Sequence, residues 1–129
     1  MHGKTPNISI IALVEDDDPL RDALESMLRA AWLSVDKFSS AEAFLDFPER
    51  QRTDCLVLDV RLPGMSGVEL QRRLVDMRIA IPIVFVTAHG DASVRDLVME
   101  AGAAGFLTKP VRREALLASI SAAIGLAPS

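Results

Sequence analysis

Cys55-Leu56-Val57-Leu58-Asp59-Val60-Arg61-Leu62-Pro63-Gly64-Met65-Ser66-Gly67 is the stretch that decides the fold. Four apolar residues run without interruption into a single carboxylate. An unbroken apolar run of this length reads as a strand buried on both faces. A loop with Pro63, Gly64 and Gly67 follows, and Ser66 with Glu69 forms a capping box that opens a helix. Leu70, Leu74 and Met77 give that helix its inward stripe. Asp59 therefore stands at the carboxyl end of a buried strand, where open α/β sheets collect their ligands.

The same strand-then-helix pattern repeats on either side. Ile8 to Val14 is a second apolar run. Asp18 is placed to cap the helix after it, with Pro19 in its first turn and Leu20, Leu24, Met27, Leu28 and Ala31 at helical spacing. Leu33 to Phe38 alternates apolar and polar residues, as a half-exposed edge strand does. Ser39 and Glu42 match a further capping box for a short helix that buries Ala41, Phe44 and Leu45 and is limited by Pro48. Ile83 to Thr87 is another pure apolar strand. His89-Gly90 turns the chain, Asp91 is placed as a cap, and Val94, Leu97, Val98 and Ala101 line the next helix up to Gly102. Gly105 to Thr108 is a short fifth strand closed by Pro110. Leu116, Leu117, Ile120, Ala123 and Ile124 mark the last helix, ending at Gly125. Alternation of this kind predicts an α/β fold: a five-stranded parallel sheet, order 2-1-3-4-5, flanked by five helices on its two faces. The strand order reverses between strands 1 and 3, and Glu15-Asp16 and Asp59 end those two strands.

A chain of 129 residues suits one domain. The expected domain spans residues 8–125, with flexible ends at 1–7 and 126–129. No apolar run nears the ~20 residues of a membrane span, and the N-terminus lacks a signal pattern. The cytoplasm is the expected compartment. Cys55 is the only cysteine and sits inside a strand, so it reads as a core residue. A formal net charge of −4 speaks against direct nucleic-acid binding by this domain, which would want a basic face.

Glu15, Asp16 and Asp59 cannot lie close together ionised without a counter-charge. Magnesium resolves this, because it takes oxygen ligands and keeps waters and a substrate phosphate in its shell. Asp17 and Asp18 belong to the solvated turn that caps the next helix. Taken alone, Thr87 is an ordinary strand residue and Lys109 a surface lysine. Placed at the ends of strands 4 and 5, they complete the requirements of phosphoryl transfer to Asp59, which rests on positioning and charge neutralisation. Lys109 supplies a point cation and Thr87 a hydroxyl.

The whole chain resembles bacterial response regulator receiver domains. Val14-Glu15-Asp16-Asp17, Leu58 to Gly67, Val86-Thr87-Ala88-His89-Gly90-Asp91 and Gly105-Phe106-Leu107-Thr108-Lys109-Pro110 carry the resemblance, in order and with matching spacing. Ser40-Ala41-Glu42-Ala43-Phe44-Leu45 and the turn after Thr87 look most like the FixJ-type branch. The resemblance implies that Asp59 accepts a phosphoryl group from a histidine of a sensor kinase. Asp16 would bind magnesium (or manganese in its place) directly, Glu15 through water, and the Arg61 backbone carbonyl would complete the protein ligands. The Ala88 backbone would join Thr87 and Lys109 on the phosphoryl group. Thr87 and Phe106 would be the switch pair, and the Lys109-Pro110 bond would be cis. Arg61 and His89 would tune the lifetime of the phosphoryl group. The face of the fourth helix, fifth strand and fifth helix, with Arg95, Asp96, Met99, Arg112 and Arg113 on or near it, would serve a homodimer or a DNA-binding output domain in transcription regulation. Glu15 departs from the commoner aspartate pair, and Phe106 lacks a tyrosine hydroxyl.

Two rival readings, one an enzyme and one a cofactor binder, fit less well. An aspartyl-phosphate phosphohydrolase wants a second aspartate two residues after the nucleophile, and Arg61 stands there. A flavodoxin-like cofactor binder wants a Ser/Thr/Gly phosphate loop after strand 1, and here that loop is acidic.

Overall fold

The computed structural model describes residues 9–88 and 92–125. The elements are β1 (Ile10–Val14), α1 (Asp18–Ala30), β2 (Ser34–Phe38), α2 (Ala41–Leu45), a 3-10 turn at Arg50–Arg52, β3 (Cys55–Asp59), α3 (Gly67–Asp76), β4 (Ile83–Thr87), α4 (Ala92–Glu100), β5 (Gly105–Thr108) and α5 (Arg113–Ala123). The strands form one sheet in the order β2-β1-β3-β4-β5, parallel throughout. This is the expected fold class.

Period-two alternation divides the strand residues between two apolar layers. Ala12, Val14, Leu56, Leu58 and Phe85 face Phe44 of α2, Leu70 and Leu74 of α3 and Val98 of α4. Ile11, Leu13, Val57, Val84 and Val86 face Leu24 and Leu28 of α1 and Leu116 and Ile120 of α5. The central strands β3 and β4 are buried at every position, which is why they read as continuous apolar runs. The register pairs Val14 with Leu58, Asp59 with Val86, and Thr87 with Thr108. The carboxyl ends of four strands, and the groups attached to them, therefore lie along one edge.

Helix boundaries differ from the sequence expectation in instructive ways. Asp17, not Asp18, is the cap of α1, its side chain accepting from the Leu20 amide. Asp18 is already helical and instead binds Arg21. The cap of α2 is Ser40, which accepts from Ala43. Glu42 makes no reciprocal capping bond with Ser39; its carboxylate reaches across the fold to accept from the Met65 amide at 2.9 Å. The Ser66–Glu69 box of α3 is present in both directions. The placed cap Asp91 and the strand start Ile8 lie outside the described residues, as does the turn at His89-Gly90.

Some inward positions also differ. Met77 is 41% exposed, because it is the C-cap of α3 and the chain turns away behind it. Leu97, 48% exposed, and the exposed Ala101 line an open groove between α3 and α4 with Val68, Gln71, Arg72 and Val75. Gln71 takes the interior position between the two helices. It is buried and donates its amide to the Val98 carbonyl at 3.0 Å.

Four helices end in the left-handed conformation that terminates a helix with its last carbonyls bonded. Gly102 (φ 105°) and Gly125 (φ 74°) do so after α4 and α5, as read from the sequence, but Trp32 (φ 66°) and Arg78 (φ 59°) do so after α1 and α3. Behind Trp32 the Leu33 and Trp32 amides bond back to Leu28 and Arg29. Trp32 itself is 88% exposed.

Cys55 is fully buried. Burial, with a smaller contribution from the Asp54 charge, pushes its thiol up to about 12. The unfolded thiol ionises near 9.0, so between these values the unfolded state sheds a proton that the folded state retains. Stability contributed at this residue is intact below that window and should fall as pH rises through it. Denaturant titrations at rising pH on the wild type and Cys55→Ala should show the wild type losing more. Parallel curves would rule this out. No helix among the described residues is long and apolar enough to cross a membrane.

Candidate functional site

Glu15 leaves the carboxyl end of β1 and is buried to 1% exposure. Its amide donates to the Phe38 carbonyl at 3.1 Å, extending the β1–β2 pairing by one residue. Its Oε2 accepts from the Asp17 amide at 3.1 Å. Asp59 ends β3, also buried, and its Oδ1 accepts from the Arg61 amide at 3.0 Å. Lys109 comes from the opposite side of the same edge, after β5. Its amide donates to the Thr87 carbonyl at 2.7 Å, which fixes where the side chain starts. Its Nζ then bridges Glu15 Oε1 and Asp59 Oδ2, at 3.0 Å each. The Lys109-Pro110 bond is cis.

The electrostatics follow from this geometry. Burial pushes the Glu15 carboxyl above its usual range, and the Asp59 charge adds to it; the Asp17 amide and Lys109 pull back without cancelling the shift. Burial works against the Lys109 charge, but bonds to Asp59 and Glu15 outweigh it and hold the ammonium above its usual range. Asp16 is exposed, yet one carboxylate oxygen from each of Glu15, Asp16 and Asp59 lies within 4.8 Å of the others. Three carboxylates against the one Lys109 ammonium leave two negative charges to be matched. An all-oxygen donor set of that charge fits a hard divalent cation such as magnesium.

Other sequence-selected residues take varied places. Thr87 is buried at the end of β4. Phe106 is half-buried against the layer containing Phe85, its register partner, and so lies diagonal to Thr87 on the same sheet face. Ala88 is exposed. Arg61 is exposed and touches Asp59 through its amide; its side chain makes no hydrogen bond among the described residues. His89 lies outside them. Arg95, Asp96, Met99, Arg112 and Arg113 are all exposed.

One residue at the site escaped the sequence reading. Arg21, in α1, has a side chain only 16% exposed and donates Nη1 to the Glu15 carbonyl at 2.8 Å. The available signal was a cation near a helix N-terminus, where the helix dipole disfavours it.

Comparison with known proteins identifies the family. The response regulator receiver domain family matches residues 11–121. The response regulator protein TodT of Pseudomonas putida is 46% identical over 120 residues, which cover 93% of this chain and 53% of that protein. The transcriptional regulatory protein FixJ of Rhizobium meliloti is 41% identical over 113 residues, covering 88% of this chain and 55% of the relative. The chain thus spans about half the length of the curated relatives it matches. Among solved structures, FixJ-N superposes with a TM-score of 0.84 at 37% identity, covering 95% of this chain and 98% of that one. The response regulator StyR superposes with a TM-score of 0.84 at 43% identity, covering 93% and 61%. The chain belongs to the response regulator receiver domains, the phosphorylation-dependent signalling switches, and within them to the FixJ-type branch.

Proposed function

We propose that Asp59 is the phosphoacceptor of a two-component pathway. The observation that carries this is the Lys109 ammonium bridging Asp59 and Glu15 at the sheet edge, with Asp16 beside them. In this reading a carboxylate oxygen of Asp59 attacks the phosphorus of a sensor kinase phosphohistidine or a small phosphodonor. A P–O bond to Asp59 forms as the donor's P–N or P–O bond breaks, and the leaving group takes up a proton. Lys109 holds Asp59 in line and offsets charge on the phosphoryl oxygens. The Thr87 hydroxyl and the Ala88 amide bind those oxygens. Glu15, Asp16, Asp59 and the Arg61 carbonyl would hold magnesium, or manganese in its place. Bound there, the ion supplies charge neutralisation and orientation of the phosphoryl group.

The same chemistry run with water gives slow dephosphorylation, with Arg61 and His89 tuning its rate. Output is a population shift, read through Thr87 and Phe106 and passed to the face of α4, β5 and α5. That face would serve a homodimer or a C-terminal DNA-binding output domain, in the cytoplasm, with residues 8–125 as the receiver unit.

Intact mass after incubation with acetyl phosphate tests the core of this reading. One phosphoryl adduct is expected in the wild type with magnesium, none without it, and none in Asp59→Asn. An adduct that persists in Asp59→Asn would place the acceptor elsewhere. No adduct in any sample, with beryllofluoride also failing to bind, would mean the pocket is inactive.

A further inference from the structure

Arg21 is tied to the loop that carries two of the three clustered carboxylates. Nη1 donates to the Glu15 carbonyl at 2.8 Å and Nη2 to Asp18 Oδ1 at 2.5 Å. Its own amide donates to the Asp17 carbonyl at 2.8 Å. The side chain is largely buried, whereas its partner Asp18 is 77% exposed. An exposed ion pair contributes little by itself, so the pair with Asp18 does not explain why a cation is held under the first turn of a helix. The bond to the Glu15 carbonyl does. Glu15 is gripped at its amide by Phe38, at Oε1 by Lys109 and at Oε2 by the Asp17 amide. Its carbonyl is the remaining polar group, and it opens the peptide to Asp16. Arg21 thereby fixes the peptide plane from which the Asp16 side chain projects, and Asp16 makes no side-chain hydrogen bond of its own among the described residues.

We infer that Arg21 is a positioning residue for the cation site. It sets the shape of the Glu15–Asp18 loop so that Asp16 meets the narrow geometric demand of magnesium, and so it contributes to selectivity for that ion. The inference rests on the reading that Glu15, Asp16 and Asp59 hold magnesium. Its two physical consequences have opposite signs, which makes it testable. As a nearby positive charge, Arg21 repels a divalent cation, and its removal would tighten binding. As a brace, its loss loosens the loop and weakens binding. Magnesium demands near-ideal octahedral geometry, whereas calcium accepts irregular shells. A loosened loop should therefore cost magnesium more than calcium.

The experiment is calorimetric titration of the whole chain with magnesium and, separately, calcium, for the wild type, Arg21→Lys and Arg21→Met, with circular dichroism to establish folding. Arg21→Lys keeps the charge, loses the two-pronged grip and serves as the test should Arg21→Met fail to fold. Loss of outer-shell support typically weakens metal binding tenfold or more. We expect about a tenfold loss for magnesium in both variants and a clearly smaller change for calcium. Tighter magnesium binding in Arg21→Met would overturn the inference in favour of charge alone. Equal losses for both ions, or unchanged magnesium affinity in Arg21→Lys, would also overturn it. A wild type that binds no magnesium would overturn the underlying site reading and this inference with it.

Discussion

Gly67→Ala should be strongly destabilising, more so than alanine at any other glycine among the described residues. A Cβ built at Gly67 would lie 2.1 Å from the Asp59 carbonyl oxygen and 3.1 Å from the Val60 Cα. Both neighbours are backbone, and no side chain can swing aside to relieve the contact. Gly67 is also buried and donates its amide to the Val60 carbonyl at 2.9 Å, so the first turn of α3 is pinned against the strand it must retreat from. Forcing atoms into a packed interior typically costs about 1–3 kcal/mol and occasionally more, and a contact this short against unyielding backbone belongs at the upper end. Gly102→Ala offers a contrast, since a Cβ there meets nothing within 4 Å. Its constraint is the positive φ, which costs an L-residue about 1–2 kcal/mol. Denaturant midpoints should therefore rank wild type, then Gly102→Ala, then Gly67→Ala. Because the crowded atom belongs to Asp59, the folded fraction of Gly67→Ala should also be slow to form an acyl phosphate. A Gly67→Ala protein as stable as Gly102→Ala would contradict this packing.

Lys109→Met should lower the rate of phosphorylation by about a hundredfold, the usual scale for removing one preorganised donor from developing charge. Its stem is kept, so the loss isolates the ammonium. The same change strips the shared partner from Glu15 and Asp59, whose oxygens each lie 3.0 Å from Nζ. Two buried like charges then face each other directly, and the Glu15 carboxyl, already raised by burial, should rise further. A carboxyl with a raised folded pKa favours the folded state when protonated. Its unfavourable contribution is full at high pH and vanishes as pH falls toward the ordinary value of 4.5. The melting temperature of Lys109→Met should thus recover on acidification, relative to wild type. Phosphorylation measured by acyl-phosphate formation from acetyl phosphate, with Lys109→Arg beside it, checks the first part. Rates within about threefold of wild type, a difference of under 1 kcal/mol in barrier, would remove Lys109 from the chemistry.

The sheet was legible because its central strands are buried on both faces and so spell themselves as apolar runs ending in charge. The site was legible for a related reason: Glu15, Asp59, Thr87 and Lys109 each follow such a run, and a parallel sheet sends all those ends to one edge. What escaped notice was set by tertiary contact. Glu42 matches a local capping pattern but is drawn to the Met65 amide, more than twenty residues away in the chain. Gln71 is polar, yet occupies an interior position because the Val98 carbonyl accepts its amide. Arg21 stands outside every motif, and only the position of the Glu15 carbonyl gives it a role. The ends of α1 and α3 were hidden because Trp32 and Arg78 adopt a conformation for which glycine is the usual signal.

Trp32 has one further consequence. It is the chain's only tryptophan, and it precedes β2, at the amino ends of the strands, while Asp59 and Lys109 stand at the carboxyl ends. Its indole is bathed in solvent in the native fold. Native emission from this chain is therefore already that of a hydrated chromophore, with little left to shift on unfolding. Ligand events at the acidic edge take place a full strand length away from it, and should change its emission little. A fluorescent read-out of the pocket has to be introduced there, since this chain carries none.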